Sequence, residues 1–201
     1  MNFCSFTAAV VLQVIAILLA CGIVACAVGW ATYDWWWGPN PPPPWPVRQW
    51  LPFRMPNTNV VVWRPAEWRV QAQASCPARI VFMGSPVAFV AVQVVGTNQA
   101  MAPAQAVEQL LSELQRRPGF WERSLTGRRL GGAQAVAKCA SWWERAGLRP
   151  VAWHAEIRAA RVCGALVVVS ASCDSRNWPE FVPTAYAIMD SLYALPSAGG
   201  Q

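Results

Sequence analysis

Hydrophobic and polar positions divide the chain into stretches that obey different rules. From Phe6 to Ala31 no side chain is charged, and Gln13 is the only strongly polar one. About 24 such residues in a helix rise roughly 36 Å, enough to cross a ~30 Å hydrocarbon core with some tilt. A helix packed in a soluble domain keeps a polar stripe, and this stretch has none. The pattern predicts one transmembrane helix within residues 1–33. Prolines and indoles then interrupt any period, which predicts an extended linker over 34–58. Regular periods occupy residues 59–196, which predicts a folded domain, and 197–201 read as a flexible tail.

Within the domain, Val87–Val95 is a continuous apolar run and predicts a buried strand. Arg79–Met83 predicts a second strand, and Trp68–Ser75 alternates like an outer one. Pro103 suits the first position of a helix. Val107, Leu110, Leu111 and Leu114 then recur at helical spacing, and Pro118-Gly119 ends the run. Three further strands are predicted over Ala133–Trp143, Val151–Ala159 and Leu166–Ser172, joined by tight turns at Ala146-Gly147 and Cys163-Gly164. In the middle one, Val151, Trp153, Ala155, Ile157 and Ala159 face one way, and His154, Glu156 and Arg158 the other. Pro179 opens a last helix with Phe181, Ala185, Ile188 and Leu192 on one face. With a short strand over Trp121–Thr126, the order β-β-β-α-β-β-β-β-α predicts an α+β fold, an antiparallel sheet covered by helices.

The membrane end carries its own signals. Cys21, Gly22, Ala25 and Gly29 are small residues on the predicted helix, and a small-xxx-small stripe lets another helix approach closely. A cleaved signal peptide fits poorly, because residues 1–5 lack Lys and Arg and the apolar run is about twice the usual length. Leu18-Leu19-Ala20-Cys21 and Ile23-Val24-Ala25-Cys26 leave lipidation of Cys21 or Cys26 open. Eight of the 13 Trp lie between Trp30 and Trp68. Trp30, Tyr33, Trp35, Trp36 and Trp37 sit where the apolar run stops, as expected of rings at the headgroup level. Pro39 and Pro41–Pro44 forbid helix and favour a polyproline rod of roughly 25 Å as far as Pro46. Trp45, Trp50 and Phe53 follow, and such apolar surface predicts contact with a partner or the bilayer.

Composition agrees with a membrane part, at 55% hydrophobic and 13% charged residues. The net charge of +6 comes from arginines scattered along the domain. Only Arg116-Arg117 and Arg128-Arg129 are adjacent, which excludes the basic stripe of a nucleic-acid binder. His154 is the only histidine. No G-x-S-x-G, S-x-x-K or H-E-x-x-H motif accompanies it, so surface hydrogen bonding is expected of it rather than catalysis. Of seven cysteines, Cys76, Cys139, Cys163 and Cys173 belong to the domain, with no C-x-x-C spacing. Disulfides, with Cys163 or Cys173 joined to Cys76, and buried free thiols are both open. Cys139, beside Ala135 and Ala137, reads as core. No catalytic residue, cofactor or metal ligand is predicted.

The leucine-striped helix, the Gly131-Gly132 turn, the strand meander, the Trp178-Pro179 turn and the closing Ile188-Met189-Asp190-Ser191-Leu192 resemble the PsbP-like/DcrB-like α/β/α sandwich over about Trp68–Leu195. The resemblance implies a non-catalytic extracytoplasmic domain. It suggests an accessory subunit of a photosynthetic or respiratory complex, anchored in the inner membrane with its domain on the periplasmic side. Expected partners are integral-membrane subunits and the lipid bilayer, with no nucleic acid. An anchored module for a small ligand or peptide is the alternative.

Overall fold

The structure is a computed structural model that describes residues 47, 49–73, 76–85, 87–95, 101–146, 149–162 and 164–195. All of them belong to the second of the two units into which the chain divides, Asn40–Gln201. The expected transmembrane helix, with Cys21, Gly22, Ala25 and Gly29, lies outside the described residues, as do Trp30, Tyr33, Trp35, Trp36, Trp37 and Trp45. Among the described residues no helix is long and apolar enough to cross a membrane.

The strands are β1 (Trp50–Arg54), β2 (Val60–Pro65), β3 (Arg69–Gln73), β4 (Cys76–Ser85), β5 (Ala88–Val95), β6 (Trp121–Leu125), β7 (Arg129–Leu130), β8 (Ala133–Gln134), β9 (Val136–Ala146), β10 (Arg149–Val162), β11 (Ala165–Asp174) and β12 (Tyr193–Ala194). Helix α1 spans Pro103–Leu114 and α2 spans Trp178–Asp190. Seven strands form one sheet in the order β3-β4-β5-β11-β10-β9-β6, and every pairing in it is antiparallel. A smaller sheet has the order β1-β2-β12, and β7 pairs with β8.

Helices cover both faces of the large sheet. On one face, Val107 and Leu111 of α1 pack on Ala155, Ile157, Leu166 and Val168, with Trp142 and Trp153 stacked 6.1 Å apart. Pro103 starts α1, and the Gln105 side chain accepts from the Ala102 N–H, satisfying one of the free donors at the helix start. Lys138 pins α1 to the strands beneath, with Nζ 2.6 Å from Glu108 and 2.9 Å from Glu122. On the other face, Phe181, Ala185, Ile188 and Met189 of α2 meet Val90, Val92, Val167 and Val169. There the small sheet adds Val60 and Val62. β11 is buried along its whole length, as a central strand covered on both faces must be.

β1 lies inside the stretch expected to be linker. Its register with β2 runs from Trp50 opposite Pro65 to Arg54 opposite Val61. Trp50 and Phe53 pack on the core, and the Phe53 ring stands edge-on to Phe82 at 5.4 Å. These two residues therefore belong to the domain's own packing. The prolines that suggest linker are compatible with this strand, because β1 is an edge and Pro52 removes no bond the ladder needs. Cys173 and Cys139 are buried free thiols, so Cys173 is not bonded to Cys76. Burial, and then the charge of Asp174, push the Cys173 thiol up to about 12. Cys163 lies outside the described residues.

Candidate functional site

The alternation along β10 predicts a solvated polar face, but α2 lies over it. Glu156 and Arg158 are only 2% and 3% exposed. A buried carboxylate needs its lone pairs filled, and here three groups attend to it. Arg158 donates from Nε to Glu156 Oε1 at 2.7 Å, and Tyr186 of α2 donates its hydroxyl to Oε2 at 2.6 Å. Arg128, on the β6–β7 loop, places its Nε 3.2 Å from the same Oε1. That distance suits an ion pair, yet the N–H is not aligned with any acceptor, so a buried donor stays unsatisfied. Arg158 Nη1 reaches the Arg129 carbonyl at 2.8 Å and stands 3.6 Å from the Asp190 carboxylate. The Tyr186 ring carries both cations, with guanidinium carbons 4.3 Å (Arg158) and 5.2 Å (Arg128) from its centroid.

Outside this network opens a cavity of about 370 Å³, lined by Gly127, Arg128, Arg129, Arg158, Tyr186 and Asp190 together with Gly132. A larger hollow of about 660 Å³ lies by the β1–β2 hairpin, where Arg54 is the only charged residue among the described ones that line it. The Arg54 Nε is already bonded to the Thr58 carbonyl.

His154 is half-buried rather than on the surface. Its Nδ1 lies 2.9 Å from the Ser141 hydroxyl, and its ring stands against Trp178 at 4.3 Å. Burial lowers its pKa, Glu156 opposes the shift, and Arg123 adds to it. A serine beside a histidine invites a hydrolase reading, but the backbone argues against one. Ser141 sits mid-strand in β9, paired with β6 on one side and β10 on the other. Its neighbouring N–H groups serve the ladder and cannot form an oxyanion hole. Asp174, 1% exposed, caps the turn before α2. Burial alone would raise its pKa, but hydrogen bonds from the Arg176 side chain and backbone hold it below the usual carboxylate range. Among the described residues no group of three or more His, Cys, Asp or Glu is placed to hold a metal.

The β6 edge carries exposed aromatics. Trp121 is 51% exposed and Trp143 is 45% exposed. Register sets Trp121 opposite Ser141, so Trp143, two residues on, shares its face as a diagonal neighbour. Arg123 lies over the Trp121 ring at 5.9 Å. The Trp143 ring packs on Gly119, where an added Cβ would meet Trp143 Cδ1 at 2.5 Å.

The sequence placed partner contacts at Trp50 and Phe53, which the fold uses internally. It missed Trp121 and Trp143, whose strands it did predict. It also missed the network of Glu156, because Tyr186 and Arg128 lie 30 and 28 residues from Glu156 along the chain and on different elements.

No protein-family model matches the chain, and no curated protein matches it. Solved structures do. LpqN, described as involved in cell envelope biogenesis of Mycobacterium tuberculosis, is 18% identical with a TM-score of 0.44, covering 74% of this chain and 91% of that one. The Saccharomyces cerevisiae Ran-binding protein Mog1p is 8% identical with a TM-score of 0.48, covering 75% and 97%. The cyanobacterial PsbP (CyanoP) of Synechocystis sp. PCC 6803 is 11% identical with a TM-score of 0.47, covering 75% and 95%. At these identities and scores the likeness carries no argument about activity or partners. The α+β class rests on the strand order and helices described above.

Proposed function

We propose that this chain is a non-catalytic, PsbP-like accessory subunit, anchored in the inner membrane by its apolar N-terminal stretch. Its domain lies on the periplasmic side and docks on a larger integral-membrane assembly. The observation that carries the reading is the pair of exposed indoles, Trp121 and Trp143, on one face beside the open β6 edge. Adjacent large aromatics left in water are typical anchors of protein interfaces. The domain's ionisable groups with the strongest contacts are engaged inside the fold, at Glu156, Arg158 and Asp174. The net charge of +6 and the arginine over Trp121 suit a partner whose apolar patch is rimmed by carboxylates.

The test is purification of the tagged full chain from native membranes in mild detergent, followed by cross-linking mass spectrometry. The expected result is co-purification of membrane subunits cross-linked near β6, and loss of that association in W121A/W143A. Elution of the wild-type chain alone as a monomer refutes the proposal.

A further inference from the structure

We infer that the cavity between the β6–β7 loop and α2 is an oxyanion site that takes a phosphate group. This inference does not depend on the docking surface at β6. Arg128, Arg129 and Arg158 are among the residues lining the cavity, against one carboxylate in the lining, Asp190, and a second, Glu156, paired to Arg128 and Arg158. Glu156 is turned inward and occupied, one oxygen by Arg158 and Arg128 and the other by Tyr186. Asp190 is 61% exposed and 3.6 Å from Arg158, beyond hydrogen-bond reach. The cavity side of the cluster therefore keeps excess positive charge against a largely buried base, an arrangement that an entering anion relieves.

Geometry narrows the anion. Arg128 Nε, buried beside Glu156, has no aligned acceptor, so turning this side chain toward a ligand costs it no hydrogen bond there. Gly127 and Gly132 have open space where a Cβ would project, so a ligand can come close to both loops. Guanidinium forks match tetrahedral oxyanions, and a phosphate brings three acceptor oxygens to three arginines. At about 370 Å³ the cavity has room for a substituent on that phosphate. Asp190 holds the mouth as a weakly bound carboxylate that the ligand displaces. The phosphate belongs to a soluble ester or to a lipid headgroup, and the experiment separates these.

The full chain is titrated with inorganic phosphate and with glycerol phosphate in detergent micelles, against chloride at matched ionic strength. It is also placed in nanodiscs of phosphatidylcholine with and without phosphatidic acid. The readouts are thermal stability and hydrogen exchange of residues 126–132. The expected result is saturable stabilisation and protection of that loop. Affinity should fall about tenfold in R128Q, through loss of a charge-assisted bond, and rise about threefold in D190N, through removal of the competing carboxylate. Arg129→Gln serves as the second variant if R128Q does not fold, with the same direction expected. Response to inorganic phosphate or glycerol phosphate assigns a free ligand, and response only to phosphatidic acid assigns a headgroup. No saturable response to any of these, or unchanged affinity in the arginine variants, overturns the inference.

Discussion

Replacing Tyr186 by Phe deletes one atom and tests whether the charges under α2 are held as described. The phenol donates to Glu156 Oε2 at 2.6 Å, the short distance of a charge-assisted bond. Glu156 is 2% exposed, so no bulk water replaces the lost donor. The ring stays, and with it the packing and the two guanidiniums over its face. The cost is therefore the bond alone, about 2 kcal/mol, within the range for hydrogen bonds to charged groups. For a domain of this size that lowers Tm by about 4–8 °C. Glu156→Gln should cost more, about 3–5 kcal/mol, because Arg158 is left buried without its counter-charge. Tyr186 also sets an alkaline limit. Burial raises its pKa, the bond and charge of Glu156 raise it further, and Arg128 and Arg158 pull it down. The phenol is thus protonated more firmly in the folded chain than in the unfolded one. Its contribution is complete below the unfolded value of about 10 and is lost as pH climbs through the folded value. Scanning calorimetry of the full chain in micelles, from pH 7 to pH 11, measures both effects. The reasoning is refuted if Y186F melts within about 1 °C of wild type at pH 7, less than the shift expected for even ~0.5 kcal/mol.

Two other outcomes follow from named residues. Asp174 is held below its unfolded pKa, so its stabilisation is present above about pH 4 and disappears as pH falls through the folded value. His154 is lowered as well, so acid begins to erode stability already below about pH 6.5, and D174N should flatten the lower part of a Tm-against-pH curve. Gly131 has φ +55 and its added Cβ would stand 2.4 Å from the Leu192 carbonyl. G131A should destabilise by about 2 kcal/mol or more, while G132A, with open space around it, should cost only the left-handed strain of about 1 kcal/mol. Chemical unfolding followed by near-ultraviolet circular dichroism distinguishes the two.

Much of the domain is legible in the sequence because its strands and helices follow simple periods. The apolar run of β5, the alternation of β10, the leucine stripe of α1 and the face of α2 all point to the elements observed. β1 is not legible, because Pro52 argues for linker unless the strand is known to be an edge. β2 has a plain apolar signal in Val60–Val62 that the surrounding prolines obscure. The site is harder still. Glu156 and Arg158 occupy the positions that alternation assigns to solvent, and only the placement of α2 turns that side inward. Nothing local to β10 specifies that a tyrosine 30 residues away will arrive over the pair.

The small sheet bears on how the domain answers to force. β1 and β12 both run antiparallel to the strand between them, so they point the same way. A pull exerted between the chain segments before residue 50 and after residue 194 is directed along the strands, from opposite ends. Tension then shears the five-residue register of β1 and the bonds joining Leu195 to Asn59 together, instead of peeling them one at a time. The unit would resist extraction by its tethers better than its short strands suggest.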